Sequence, residues 1–286
     1  MMPSVSIVIP AYNEQEGIGP TIASTQEVMD RHDWAYEIIV VDDGSTDGTA
    51  GEVDQQPGIR LIQHHTNRGY GSALKTGIRQ AAHDWIAIID ADGTYPAEAL
   101  PLLLGELNGL DMVVGSRPPT QVPTIRRPAK WCLARLAEYL AETKIPDLNS
   151  GMRVFRKDLA LSYFNILPSA FSFTITITIA FLSDHYLVKF VPIPYQPREG
   201  TSKIKPVQDT LNFIQLILRT VMYFNPLKVL MPVSLLLLLV AIAIGLYSLL
   251  TQGRIMDITV ITLSIAAIQV GVLAMIADMI QKKNKV

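Results

Sequence analysis

Two long runs without a charged side chain constrain this chain more than any other feature: Val229 to Leu250 and Ile258 to Ala277, with Gln269 the most polar residue of the second. Each matches the roughly 20 apolar residues that cover a bilayer's hydrocarbon core. Only the short link 251–257 separates them, so the pair reads as a hairpin that returns the chain to the side it left. Lys228 precedes it and Lys282, Lys283 and Lys285 follow, against Arg254 alone in the turn. By the positive-inside rule this charge pattern places the preceding domain and both termini in the cytoplasm. Residues 1–10 carry neither a basic leader nor a long apolar run, so no secretory signal is expected there. The alternative is a soluble protein with two very apolar core helices.

The rest of the 286 residues is ordinary in its polarity. From Lys228 onward there are five basic and two acidic residues, which leaves 19 basic and 24 acidic upstream. An acidic main body argues against nucleic acid as a partner. Cys132 is the single cysteine, so an intrachain disulfide is excluded and a reducing compartment fits.

Upstream of the hairpin, Val/Ile-rich runs alternate with helix-length amphipathic stretches. The segments 5–9, 37–41, 59–63, 85–89, 112–114 and 187–192 read as strands. Continuous apolar strands separated by helices predict a largely parallel sheet covered on both faces, an α/β domain of Rossmann-like type. Such sheets bind ligands at the carboxyl ends of their strands. Polar clusters follow the strands there: Pro10-Ala-Tyr-Asn-Glu14, Asp42-Asp-Gly-Ser-Thr-Asp47, Asp90-Ala-Asp-Gly-Thr94 and Gly115-Ser-Arg117.

Asp42 to Ser45 suits a turn with a helix cap equally well as a nucleotide pocket, in which a strand-end carboxylate reads a base edge and ribose beside Tyr12 and Glu14. Asp90 and Asp92 close an apolar run. On a strand, side chains two apart point the same way, so these carboxylates are expected to converge on one Mg²⁺ or Mn²⁺ ion beside a substrate's phosphates. His64 and His65 lack ligand partners at suitable spacing and read as a loop, while 67–71 reads as a helix N-terminus that lets backbone approach a ligand. The alternation Thr174-Ile-Thr-Ile-Thr-Ile179 suits a strand, but its flanks suit a helix, and the choice stays open.

Three motifs in order, Ser6 to Glu14, Val40 to Asp47 and Asp90-Ala-Asp92, resemble family 2 glycosyltransferases of the GT-A fold. Asp147 to Phe155 and Pro194 to Lys203, followed by the apolar tail, are similar to the polyprenyl-phosphate branch of dolichyl-phosphate mannose synthases and bacterial undecaprenyl-phosphate transferases. The resemblance covers essentially the whole chain. It implies an inverting transfer of a hexose from GDP-mannose or UDP-glucose to polyprenyl phosphate on the cytoplasmic leaflet. It further implies that Pro10, Tyr12, Glu14 and Asp43 hold the nucleotide, and that Asp90 and Asp92 hold the metal and diphosphate. Arg117 would touch phosphate, as would Arg126 or Arg127. Asp147, Asn149, Ser150, Gly151 and Arg153 would form the wall where acceptor meets sugar, with Arg198, Ser202 and Lys203 on the loop that receives lipid phosphate. Asp147, Asp92 and Arg117 are the catalytic candidates. One departure is Thr94, where mannose synthases often carry Gln, which leaves the donor sugar open.

The implied organisation is a catalytic domain over 1–205, an interfacial amphipathic helix over 206–226, and two membrane helices with a basic tail over 227–286. Residues 126–141 mix basic residues with Trp131 and Leu133, another interfacial candidate whose alternative is a core helix. Ala267 and Gly271 allow close helix packing or a homo-oligomer contact. The rivals are a family 2 transferase with another acceptor, a sugar-nucleotide pyrophosphorylase, and a catalytically silent nucleotide-binding scaffold at the membrane. The acidic Tyr12-Asn-Glu14 speaks against the pyrophosphorylase, which needs a basic Gly-rich loop.

Overall fold

The structure, a computed structural model, describes residues 4–32, 34–118, 135, 138, 139, 143–169, 172–195, 222, 223, 225–253 and 257–283. The chain divides into two compact units, Met1–Thr210 and Leu211–Val286.

The first unit is built on a seven-stranded sheet. Its elements are β1 (Val5–Ala11), α1 (Gln15–Asp30), β2 (Tyr36–Asp42), α2 (Thr49–Asp54), β3 (Ile59–Gln63), α3 (Tyr70–Gln80), β4 (Trp85–Ile88), α4 (Ala99–Gly105), β5 (Met112–Ser116), β6 (Arg153–Arg156), α5 (Lys157–Ser162), α6 (Phe173–Ser183) and β7 (Val188–Pro192). The strand order is β3-β2-β1-β4-β6-β5-β7. All predicted strands form, and β1 to β4 are parallel. β1 is buried along its whole length, as a strand covered on both faces should be.

Register decides where the functional loops meet. Ala11 lies opposite Asp42 and Asp42 opposite Gln63, so the next residues, Tyr12, Asp43 and His64, leave the sheet in one row. β6 was not foreseen. It runs antiparallel between β4 and β5, with Arg153 opposite both Ile88 and Val114. This direction brings the segment before it, 147–152, to the same sheet edge as Asp90 and Arg117.

The Thr/Ile alternation proves helical. In α6 every residue from Phe173 to Phe181 is buried, so no face needs to be polar and the period of two carries no information. The hydroxyls of Thr176 and Thr178 donate to the carbonyls of Ser172 and Thr174, four residues back.

The second unit is a hairpin of α7 (Pro226–Gln252) and α8 (Asp257–Lys283), both long and apolar enough to cross a membrane. Asn225 caps α7 by accepting from the Lys228 N–H, Pro226 occupies its first turn, and Gly253 ends it in the left-handed conformation. Ser234 Oγ donates to the Ala267 carbonyl at 2.7 Å, and a Cβ on Gly271 would lie 3.1 Å from Ser234 Oγ. Ala267 and Gly271 thus pack inside the hairpin, the first of the two readings their spacing allowed. The expected interfacial helix over 206–226 and the basic stretch at 126–141 lie largely outside the described residues.

Candidate active site

The loops after β1 and β2 are laced together by their own polar side chains. The Asn13 N–H donates to Ser45 Oγ, the Thr46 N–H to Asn13 Oδ1, and the Glu14 N–H to Thr49 Oγ1. Asn13 takes a left-handed conformation at φ 53°, one that Asn tolerates. Pro10 is buried inside β1, while Tyr12 and Glu14 remain half-buried at the rim where a nucleotide was expected.

Asp43 is held from within the fold. Its residue is 3% exposed, and both carboxylate oxygens are engaged from within: Gly69 N–H donates to Oδ2 at 2.7 Å, Arg68 N–H to both oxygens, and His64 Nδ1 lies 2.6 Å from Oδ1. Asp43 therefore holds the turn before α3 through the Arg68 and Gly69 amides. His64 lies in the loop just past β3, and its Nε2 reaches Thr76 Oγ1 on α3 at 2.9 Å. Its partners come from two separate segments, the end of β2 and α3, and the register of β3 brings them together.

β4 stops at Ile88, so Asp90 and Asp92 occupy the turn beyond it and strand alternation does not orient them. They nevertheless sense each other. Withdrawal from water and the charge of Asp92 push the Asp90 pKa up to about 6, against the pull of the Tyr70 hydrogen bond, Arg117 and Arg153. Tyr70 donates to Asp90 Oδ1 at 2.9 Å. Thr94, buried, donates its hydroxyl to Asp92 Oδ1 at 2.6 Å, and its N–H reaches the same oxygen at 3.2 Å. Its role is to orient the carboxylate. The backbone of Gly151 presses on Asp90 so closely that a Cβ there would overlap the carboxylate.

Among the described residues, no group of three or more His, Cys, Asp or Glu forms a cation cage. Two carboxylates whose mutual repulsion raises one pKa do fit Mg²⁺ or Mn²⁺, ions usually held by one or two carboxylates together with a substrate's phosphates.

Opposite them, Arg117 and Asp147 form a bidentate pair. Nε donates to Oδ2 at 2.6 Å and NH2 to Oδ1 at 2.9 Å, and the Arg117 N–H adds a bond of 3.2 Å to Oδ2. Burial alone would lower the arginine pKa, but the bonds to Asp147 and the neighbouring tyrosines raise it further above its ordinary value. The guanidinium also lies 5.3 Å from the ring centre of Tyr195, which in turn meets Tyr95 edge to face. The Tyr95 hydroxyl accepts from the Gly151 N–H at 2.8 Å. Tyr195 lies inside the Pro194 to Lys203 motif and Tyr95 directly follows Thr94, yet nothing in their spacing announced this contact.

Asn149 is half-buried beside the pair, its N–H donating to Asp147 Oδ1. Ser150 and Arg153, expected to meet the acceptor, are both buried in the ligand-free chain. Arg153 donates to the Thr174 carbonyl and Thr178 Oγ1, each at 2.9 Å, and to the Ser150 carbonyl. It joins β6 to α6 behind the site, and burial lowers its pKa to about 10. Arg126, Arg127, Arg198, Ser202 and Lys203 lie outside the described residues.

Both units of the chain are similar to known proteins. Residues 6–164 match the pattern of Glycosyl transferase family 2, and residues 225–282 match the GtrB C-terminal hairpin. A dolichyl-phosphate hexose transferase of Haloferax volcanii is 31% identical over 71% of this chain and 87% of its own. An undecaprenyl-phosphate mannosyltransferase of Micrococcus luteus is 29% identical over 70% and 87%. Among solved structures, glucosyl-3-phosphoglycerate synthase of Mycobacterium tuberculosis with Mg²⁺ and UDP shares the fold, with a TM-score of 0.64, 22% identity, and coverage of 76% and 79%. The motifs at one sheet edge, the apolar hairpin and these matches place the chain in glycosyltransferase family 2, as a glycosyltransferase with a GT-A-like catalytic domain and a GtrB-type hairpin.

Proposed function

We propose that this enzyme transfers a hexose from a nucleotide sugar, GDP-mannose or UDP-glucose, to a polyprenyl phosphate on the cytoplasmic leaflet, with inversion at the anomeric carbon. The observation that carries this reading is the convergence of Asp90 and Asp92 with the Arg117–Asp147 pair at the carboxyl edge of one sheet. The acceptor class follows the dolichyl- and undecaprenyl-phosphate relatives and the apolar hairpin that would keep the enzyme at a membrane.

Tyr12 and Glu14 rim the nucleotide site, while Asp90 and Asp92 would hold Mg²⁺ or Mn²⁺ beside the diphosphate. That cation supplies Lewis-acid stabilisation of the departing charge. The chain's own work is alignment, since an activated sugar already carries a good leaving group. A phosphate monoester with a second pKa near 6 is mostly ionised at neutral pH, so the acceptor needs little help from a base. Asp147, gripped on both oxygens by Arg117, then orients the acceptor and Asn149 borders it. Arg117 keeps positive charge where phosphate oxygens gather, and Arg126 or Arg127 together with Arg198, Ser202 and Lys203 supply the remaining phosphate contacts. Lys228 and the basic tail hold both termini at the cytoplasmic face.

The test is transfer by purified protein in detergent with MnCl₂ or MgCl₂, undecaprenyl phosphate, and radiolabelled GDP-mannose and UDP-glucose side by side. Label in the organic phase from one donor is the expected outcome and names the sugar. Donor hydrolysis without lipid labelling would overturn the acceptor, and absence of any donor turnover would overturn both proposed sugars.

A further inference from the structure

One short stretch of chain touches both acidic clusters of the site. The Arg68 and Gly69 amides bind the Asp43 carboxylate, and the next residue, Tyr70, places its hydroxyl on Asp90. Gly69 has φ 95° and ψ 155°, a conformation essentially reserved for glycine, so the turn into α3 has one narrow geometry. His64 closes the arrangement, spanning from Asp43 to Thr76 one and a half turns further along α3. Its side chain is 6% exposed and that of Asp43 is 4%, so water does not compete for these bonds. Asp43 also lies at the positive end of α3, where a carboxylate is favoured.

We infer that His64 and Asp43 are positioning residues for Asp90: they lock the 67–69 turn so that the Tyr70 hydroxyl fixes the carboxylate that binds the donor's diphosphate with its cation. The lever is mechanical. Releasing Asp43 frees two amides at the start of α3, and the Tyr70 ring follows the helix. Without the Tyr70 bond, Asp90 keeps the charge of Asp92 beside it and loses the donor that holds its rotamer. The inference rests on the proposed cation role of Asp90.

Nucleotide binding by the full-length protein in detergent tests it without requiring turnover. MnCl₂ is titrated against UDP and, separately, GDP, for wild type, His64→Ala, His64→Asn, Tyr70→Phe and the double variant His64→Ala/Tyr70→Phe. Removing an outer-shell partner typically weakens metal binding at least tenfold. His64→Ala and Tyr70→Phe should each weaken the Mn²⁺ dependence roughly tenfold, equally with UDP and GDP, and the double variant should be no worse than Tyr70→Phe. His64→Asn, whose amide can replace Nδ1 toward Asp43, should restore most of the loss. Multiplying effects in the double variant would overturn the inference. So would a His64→Ala effect that differs between UDP and GDP, because the Asp43–His64 pair would then belong to base recognition. Melting curves identify a variant that merely unfolds, and His64→Asn keeps the question open to decision in that case. Nucleotide binding by wild type that ignores Mn²⁺ would overturn the cation role of Asp90 and the inference with it.

Discussion

Arg117 grips Asp147 through both carboxylate oxygens, at 2.6 and 2.9 Å, with the arginine side chain only a quarter exposed. A carboxylate held in this way is fixed in direction and surrounded by positive charge, which suits orienting an acceptor better than collecting its proton. Asp147→Asn keeps the shape and removes the charge, so it should reduce kcat by roughly 10- to 100-fold through misalignment. Steady-state kinetics over pH 6–8 check this. A loss that disappears at high pH, where the acceptor phosphate is fully ionised, would show instead that Asp147 acts as a base.

Gly151 lies against Asp90 with no room for a Cβ. Gly151→Ala should therefore displace the Asp90 carboxylate while leaving the sheet intact. The expected result is a loss of activity of about tenfold or more, partly recovered by raising MnCl₂. Full activity at low metal concentration would show that Asp90 tolerates the shift.

The raised pKa of Asp90 has a sign that can be followed in the metal-free protein. The folded state holds this proton up to about pH 6, whereas the unfolded chain releases it near the ordinary value of 3.8. Between those values the folded state binds more protons, so the contribution of Asp90 to stability falls as pH rises through that window, by about 3 kcal/mol. Asp90→Asn should flatten this slope in melting temperature measured from pH 4 to 7. Mg²⁺ or Mn²⁺ should stabilise wild type at pH 7.5 and leave Asp90→Asn nearly unchanged.

Arg153 is a buried cation whose two terminal nitrogens donate to the carbonyls of Ser150 and Thr174 and the hydroxyl of Thr178, while its Nε has no hydrogen-bond partner among the described residues. Lysine cannot reproduce a planar fork that reaches three acceptors. Arg153→Lys should lower stability by about 2–4 kcal/mol, visible in urea unfolding, because buried polar groups lose their partners. A variant of unchanged stability that has lost only lipid transfer would restore Arg153 to the acceptor site.

The fold was legible where local pattern and tertiary role agree. Val5 to Ala11 and Tyr36 to Asp42 are apolar because both faces of the sheet are covered, and the polar residues after them mark the edge where ligands bind. The hairpin was legible for a similar reason: roughly 20 residues without charge leave few alternatives to helices in lipid. In both cases the solvent surrounding a segment dictates its composition directly.

Other features depend on what lies across the sheet. The four residues of β6, Arg153–Arg156, are too few to show a period, and only β4 and β5 on either side make them a strand. Thr174 to Ile179 alternates like a strand and forms a helix, because complete burial removes the need for a polar face and its threonines bond within the helix. His64, Thr76, Tyr70 and Asp90 are distant or unremarked in sequence, and parallel register makes them one network. The sequence by itself thus determined which chemistry gathers at the strand ends and which segment is apolar enough for lipid. The tertiary structure decided which of those polar groups meet one another, as Asp43 meets the Arg68 and Gly69 amides and Arg153 the Thr174 carbonyl, since a hydrogen-bond partner is chosen by distance in space.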